Sequence, residues 1–150
     1  MKSSVRFAAA KRLHNAGFSL VELMVVVVII GILSMIVYPT YTESVRRGDR
    51  ASAKAALLEA QQFMERFYAA NNAYATLVSG TLTNPTLPAR LQSVPVESPK
   101  YTLSLGTPST NAYTLTATPL AADKCGNLTL TNTGVKGRSG TELSVRECWK

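Results

Sequence analysis

The chain has 150 residues, carries a formal net charge of +7, and is 46% hydrophobic. This length is enough for one domain with a modest core. Past residue 17 there is no histidine, which excludes a histidine-based catalytic triad or metal site from the rest of the chain. The sequence also lacks a P-loop, a GxSxG motif and a nucleotide-binding glycine motif. We therefore expect no enzymatic activity, no cofactor and no metal.

Most of the basic excess lies in residues 1–17, which hold Lys2, Arg6, Lys11 and Arg12 and no acid. The remaining twelve Lys and Arg face nine Asp and Glu, a balance of only +3. Positive charge that precedes an apolar segment keeps the N-terminus in the cytoplasm. The sequence therefore predicts a single-pass membrane protein whose part beyond the apolar segment is exported.

An apolar run follows over residues 18–38, interrupted only by two serines, Glu22 and Gly31. As a helix it would be about 31 Å long, close to the thickness of the hydrocarbon core of a bilayer. A carboxylate at the centre of such a helix costs about 2.5–3.5 kcal/mol. Near the helix N-terminus the macrodipole favours it, which explains why Glu22 is tolerated but gives it no use. Pro39, just after the run, removes a backbone hydrogen bond and predicts a kink or a softened turn.

The small residue that would suit a cleavage site stands before the apolar run. An ordinary signal peptide is cut behind its apolar core, at small residues. This run ends in Val37-Tyr38-Pro39, without such a site, whereas Gly17 precedes it. Cleavage after Gly17 would leave the run on the mature protein as a permanent anchor.

Residues 40–70 predict an amphipathic helix that continues from the apolar one. Hydrophobic side chains recur along one face at spacings of three and four. They are Ala53, Ala56, Leu57, Ala60, Phe63, Met64 and Phe67. We expect this stripe to pack on a sheet and the helix to end near Asn71-Asn72.

Residues 71–99 contain four prolines and several Thr, Ser and Asn, which is typical of a connecting loop. Three predicted strands follow, at 100–105, 112–118 and 127–132, and the first two alternate with period two. One long helix laid on a small antiparallel sheet is an α+β fold.

The two cysteines, Cys125 and Cys148, fall in the exported part, where a disulfide is chemically favoured. A bridge between them would close a segment of about 24 residues and stabilise the fold by roughly 3.4 kcal/mol. That segment would hold Lys136, Arg138 and Arg146. Two free buried thiols are the alternative.

The stretch GFSLVELMVVVVIIGIL, residues 17–33, closely resembles the class III signal of type IV pilins. The family motif is a glycine followed by phenylalanine, with glutamate as the fifth mature residue. The resemblance implies that a prepilin peptidase cuts between Gly17 and Phe18 and methylates the new amine of Phe18. It is firm over residues 11–60 and looser beyond them.

In the filament implied by this resemblance, Glu22 pairs with the protonated amine of a neighbouring subunit's Phe18 and sets axial register. Opposite charges attract far more strongly in a packed apolar core than in water, and a lone charge there is costly. Gly31 and Pro39 match positions where pilin helices are weakened and melt locally. Ordinary membrane-helix composition is the alternative for both.

The resemblance implies a leader at 1–17, a transmembrane and filament-core helix at 18–39, and a pilin globular domain at 40–150. Within the globular domain, the sheet and the disulfide-closed loop occupy 100–150. The precursor would wait in the bacterial inner membrane and then join other pilin subunits in an extracellular pilus. An ATPase motor and a platform protein would drive assembly. Small size and a bridge near the C-terminus indicate a minor subunit that supports motility, adhesion or DNA uptake.

Two alternative functions remain open from the sequence. In the first, Lys136, Arg138 and Arg146 contact phosphates, as expected of a DNA-binding minor pilin that acts as a receptor in natural transformation. Ordinary solubilising charge is the simpler interpretation of the same residues. The second alternative is a pseudopilin of a type II secretion system. Major pseudopilins resemble pilins at the N-terminus but usually lack the C-terminal disulfide.

Overall fold

The computed structural model describes residues 18–150, so Gly17 and the basic leader lie outside the described residues. The chain divides into two compact units, with the boundary between Thr40 and Tyr41. The helices are α1 (Leu20–Asn71), α2 (Ala89–Gln92) and α3 (Val145–Trp149). The strands are β1 (Thr76–Val78), β2 (Thr81–Thr83), β3 (Ser93–Val94), β4 (Tyr101–Leu105), β5 (Thr114–Pro119), β6 (Leu128–Thr131) and β7 (Lys136–Arg138).

The N-terminal unit is the apolar part of α1, and all its described side chains are exposed. An 18-residue window of this helix has a mean hydropathy of 3.0, so by length and composition the helix can cross a membrane. Glu22 lies in the first turn, and Pro39 lies inside the helix. The hydroxyls of Ser34 and Thr40 donate to carbonyls four residues earlier, at 2.8 and 3.2 Å, so these polar groups are satisfied within the helix.

In the second unit, α1 packs on the sheet through the predicted stripe. The fully or nearly fully buried members are Ala53, Ala56, Leu57, Ala60 and Met64. Phe63 is partly buried against the same core. The helix ends where Asn72 takes a left-handed φ of 53° and its N–H donates to the Tyr68 carbonyl at 2.7 Å. An asparagine tolerates this conformation, so the predicted end of the helix is confirmed.

The main sheet has five antiparallel strands in the order β3-β4-β5-β6-β7. The three predicted strands are β4, β5 and β6, with Leu103 opposite Ala117 and Ala117 opposite Leu128. These three side chains lie on the face that packs against α1 and are buried. The α+β fold predicted from the sequence is confirmed.

The predicted connecting loop at 71–99 is wrong in detail, because it contains the hairpin β1–β2, the short helix α2 and strand β3. Ser79 and Gly80 both have positive φ, which suits the two-residue turn of this hairpin. The disulfide-closed loop likewise contains β7 and α3. Strands of two or three residues are too short to show alternation, and helices of four or five residues are too short to show a helical period, so their tertiary contacts decide where they form.

The end of α1 is tied to the sheet by a cluster around Glu65. The Tyr113 hydroxyl donates to Glu65 Oε1 at 2.9 Å, and the Tyr74 hydroxyl donates to the same carboxylate at 3.1 Å. Burial is the main cause that raises the pKa of both tyrosines above the ordinary value, and the Glu65 carboxylate raises it further. The rings of Tyr74 and Tyr113 meet edge to face at 4.7 Å, a favourable aromatic geometry.

Candidate nucleic-acid interface

The C-terminal segment is held in place by a disulfide and by a capped helix. Cys125, just before β6, is bonded to Cys148 in α3, and both are almost fully buried. Ser144 caps α3 by accepting from the Glu147 N–H, while Glu147 accepts from the Ser144 N–H at 2.8 Å. This reciprocal capping box satisfies two backbone donors, so a five-residue helix is stabilised locally as well as by the bridge.

Strand β7 carries two of the three cations predicted to contact phosphates. Lys136 and Arg138 are two residues apart and therefore point to the same side of the strand. Lys136 Nζ lies 5.3 Å from the centre of the Trp149 ring, a cation–π contact. The Trp149 indole N–H donates to the Gly137 carbonyl at 2.9 Å, which fixes α3 against β7. Arg146 is exposed on α3. We name Lys136, Arg138 and Arg146 the C-terminal basic surface.

Helix α1 adds a further lysine beside this surface. Lys54 Nζ donates to the backbone carbonyl of Lys150, so α1 holds the end of the α3 segment. Burial first, and then the positive charges of Arg50 and Lys136, lower the pKa of Lys54. Lys54 and Lys136, far apart in sequence, both contact the end of the α3 segment, Lys54 at Lys150 and Lys136 at Trp149.

A groove between α1 and the α3 segment continues the positive region and has a volume of about 460 Å³. Its four accessible or partly accessible cations are Arg47, Lys54, Lys124 and Lys150, and its acids are Glu43 and Glu147. We name it the α1–α3 groove. Hydrogen bonds from the Ser144 side chain and backbone lower the pKa of Glu147, so this acid is engaged within its own helix cap.

Arg50 lies at this groove but is buried and held by two carboxylates. Its Nε is 3.0 Å from both oxygens of Asp123, its Nη2 is 2.9 Å from one of them, and its Nη1 is 3.0 Å from Glu43. Burial alone would lower the pKa of Arg50, but the bonds to Asp123 and Glu43 outweigh it and raise that pKa. Arg50 therefore anchors α1 to the loop before Cys125 and is not open to a ligand.

A second groove lies on another part of the globular unit and is lined by both helix and loop residues. Arg46 and Lys100 stand at it, with exposed apolar surface from Val45 and Leu120. Tyr101 forms part of its wall, and the Tyr101 hydroxyl has no hydrogen-bond partner within residues 18–150. We name it the Tyr101 groove, and it has a volume of about 440 Å³.

The predicted assembly residues that the structure describes fall in the N-terminal unit. Phe18 is 78% exposed, and Glu22 stands in the first turn of α1. Gly31 is open, with nothing near the place a Cβ would occupy. Within residues 18–150 no three His, Cys, Asp or Glu side chains come close enough to hold a metal ion.

The sequence interpretation missed the contribution of α1 to the basic region. Glu43, Arg47, Arg50 and Lys54 are spaced by four, three and four residues, which places them on one face of a helix. That spacing could have predicted a charged face on α1. It could not have predicted that Lys124 and Lys150 lie across the groove from this face.

Two family descriptions match the chain. Residues 39–129 match "Type IV minor pilin ComP, DNA uptake sequence receptor". Residues 12–38 match the prokaryotic N-terminal methylation motif. The first match covers the second half of α1 and most of the sheet, and it ends before Lys136.

Individual relatives are more distant. Type II secretion system core protein G of Pectobacterium carotovorum subsp. carotovorum is 28% identical over 87 residues, 56% of this chain and 56% of that protein. The protein of the same name from Aeromonas hydrophila is 31% identical over 67 residues, 45% of this chain and 47% of that protein. The chain thus spans about half the length of these curated relatives. The solved structure of the non-core minor pilin PilV of Neisseria meningitidis has a similar fold, with a TM-score of 0.50 and 24% identity, over 68% of this chain and 94% of PilV.

Proposed function

Because the chain belongs to the family of type IV minor pilins described as ComP, DNA uptake sequence receptor, we propose that its globular domain binds DNA at the surface of a pilus. The resemblance seen at residues 17–33 is confirmed, since residues 12–38 match the N-terminal methylation motif. The chain is a minor type IV pilin, with a family and a fold that are structural and not enzymatic. Like other pilins, it assembles with further pilin subunits.

The proposed route to the pilus starts in the inner membrane. The exposed apolar side chains of α1 need lipid before assembly and neighbouring apolar helices after it. A prepilin peptidase cuts between Gly17 and Phe18 and methylates Phe18, and the N-terminus stays on the cytoplasmic side. A platform protein and an ATPase motor then move the subunit into the fibre. The methylation motif and the membrane-length helix support this route.

The observation that carries the DNA proposal is the C-terminal basic surface on a chain of this family. Lys136 and Arg138 share one side of β7, and α3 brings Arg146 to the same bridged segment. Neither Lys136 nor Arg146 has an acidic partner within 4.0 Å in the part of the chain that the structure describes. Unpaired cations exchange counterions for phosphates, which is the main source of affinity for a nucleic-acid backbone.

The salt dependence of DNA binding tests this proposal. The full chain, with its bridge formed and in a non-ionic detergent, is titrated with a labelled short duplex between low and moderate salt. Three phosphate contacts contribute about −2.7 to the slope of log K against log salt, from roughly −0.9 per contact. The Lys136→Ala/Arg138→Ala/Arg146→Ala variant should lose that contribution. No binding by the wild type at low salt, or equal slopes in both proteins, would refute the proposal.

A pseudopilin is the second candidate, because the curated relatives are core proteins of type II secretion systems. The bridge between Cys125 and Cys148 favours a pilus subunit, since major pseudopilins usually lack it. Sheared surface fibres distinguish the two functions. A pilus subunit should be detected in them by immunoblot, and a pseudopilin should remain with the cell.

A further inference from the structure

The positive region does not stop at the C-terminal basic surface but continues into the α1–α3 groove. Lys136 on β7 lies 5.3 Å from the centre of the Trp149 ring, and Trp149 is the residue before Lys150. Lys54 is bonded to the Lys150 carbonyl, and both residues line the groove that also holds Arg47 and Lys124. Each step of this chain of contacts joins neighbouring residues, so one anionic polymer lying on the surface can cover both parts.

The acids of the groove are already occupied, whereas two of its cations are open. Glu43 is 3.0 Å from the buried Arg50, and Glu147 closes the cap of α3. Arg47 has a 77% exposed side chain and only a loose pair with Glu43, at 3.9 Å. Lys124 is exposed and has no carboxylate within 4.0 Å among residues 18–150. With five cations and two carboxylates in its lining, the groove presents net positive charge.

We infer that the DNA backbone continues across the α1–α3 groove, where Arg47 on the helix and Lys124 on the loop contact phosphates. This inference rests on the proposed function and enlarges the site beyond the bridged segment. The family match at 39–129 includes both Arg47 and Lys124. Lys54 acts here as a positioning residue that holds the α3 segment beside the groove.

The test compares two double variants of the full chain in non-ionic detergent, each with its bridge formed. Arg47→Gln/Lys124→Gln removes one helix cation and one loop cation from the α1–α3 groove. Arg46→Gln/Lys100→Gln removes the same charge, also one from α1 and one from a loop, but from the Tyr101 groove. All four side chains are exposed, so we expect both variants to fold normally. Trp149 fluorescence equal to that of the wild type would show that the fold is intact.

Five phosphate contacts predict a wild-type slope of log K against log salt of about −4.5. The Arg47→Gln/Lys124→Gln variant should retain about −2.7, and the Arg46→Gln/Lys100→Gln control should stay at about −4.5. A wild-type slope near −2.7 that Arg47→Gln/Lys124→Gln leaves unchanged would refute this inference but keep the proposed function. Equal losses in both double variants would refute it too, since net charge alone would explain them.

Absence of wild-type binding to the duplex would remove the proposed function together with this inference. A separate readout identifies the competing use of the groove. If Arg47→Gln/Lys124→Gln lowers incorporation into sheared fibres and leaves the salt slope of DNA binding unchanged, the groove is a contact between subunits. That outcome also overturns the inference.

Discussion

At the scale of single residues, burial decides what a polar side chain does in this protein. Tyr101 is only 2% exposed, and its hydroxyl has no hydrogen-bond partner within residues 18–150. Burial first, and then the charge of Asp123, raise the pKa of Tyr101 to about 12. Near neutral pH the buried hydroxyl is uncharged, and its missing hydrogen bond destabilises the fold only modestly. Ionisation would place a charge in this desolvated site, which destabilises the fold much more.

Tyr101→Phe should therefore stabilise the protein in alkaline solution. Below about pH 10 the tyrosine is protonated in both states, whereas above it the unfolded chain loses the proton first. At about pH 11 this difference lowers the wild-type free energy of unfolding by about 1.4 kcal/mol, a loss that Tyr101→Phe avoids. Denaturant unfolding at neutral and alkaline pH measures it, with the exposed Tyr41→Phe as control. Parallel pH curves for wild type and Tyr101→Phe would contradict the prediction.

At the scale of elements, one buried ion pair fastens α1 to the loop between β5 and β6. The side chains of Arg50 and Asp123 are 4% and 6% exposed and form three close contacts. Asp123 also accepts from the Cys125 N–H at 2.8 Å, so the pair positions the bridge. The pair of Arg90 with Glu59 links α2 to α1 at 2.6 Å, but both of its side chains are exposed.

Asp123→Asn should cost about 3 kcal/mol or more in free energy of unfolding, because it leaves the Arg50 charge buried with a weaker set of partners. The matched change Glu59→Gln, at the exposed pair, should cost less than about 1 kcal/mol. Denaturant titration of the full chain, followed by the fluorescence of the single tryptophan Trp149, measures both. Equal costs for the two variants would show that burial does not strengthen the Arg50–Asp123 link.

At the scale of the whole molecule, the exposed apolar part of α1 makes assembly the central property of the chain. Its side chains have no cover within the described residues, so lipid or other subunits must supply one. Packing between apolar helices gives little preference for one axial position over another. We propose that Glu22, the acid of the first turn, supplies that preference by pairing with a neighbouring Phe18 amine.

Glu22→Val should leave membrane insertion intact, because it makes the segment more apolar. It should lower incorporation into fibres more than about tenfold, because the amine of a neighbouring Phe18 would be buried without a partner. Such an unpaired charge costs about 3–5 kcal/mol, and each 1.4 kcal/mol is a factor of ten. Immunoblots of sheared fibres and of membrane fractions measure the two effects. Ser34→Val, a polar-to-valine change in the same helix, is the control and should incorporate normally. Wild-type levels of the Glu22→Val protein in fibres would rule out the register role.

The sequence by itself determined the features that repeat along the chain. The apolar length of α1, the stripe that includes Leu57 and Met64, and strands β4 to β6 were all predicted, because period and hydrophobicity are local properties. The motif around Gly17 and Phe18 was likewise recognised from consecutive residues alone.

Only the tertiary structure decided which distant residues meet. Arg50 and Asp123 are 73 positions apart, and the sequence around either residue does not identify the other as its partner. Strand β7 and helix α3 exist because the bridge, the Trp149 bond to Gly137 and pairing with β6 order them. The α1–α3 groove arises the same way, since charges from α1, from the loop before β6 and from the α3 segment converge only when the chain has closed on its core.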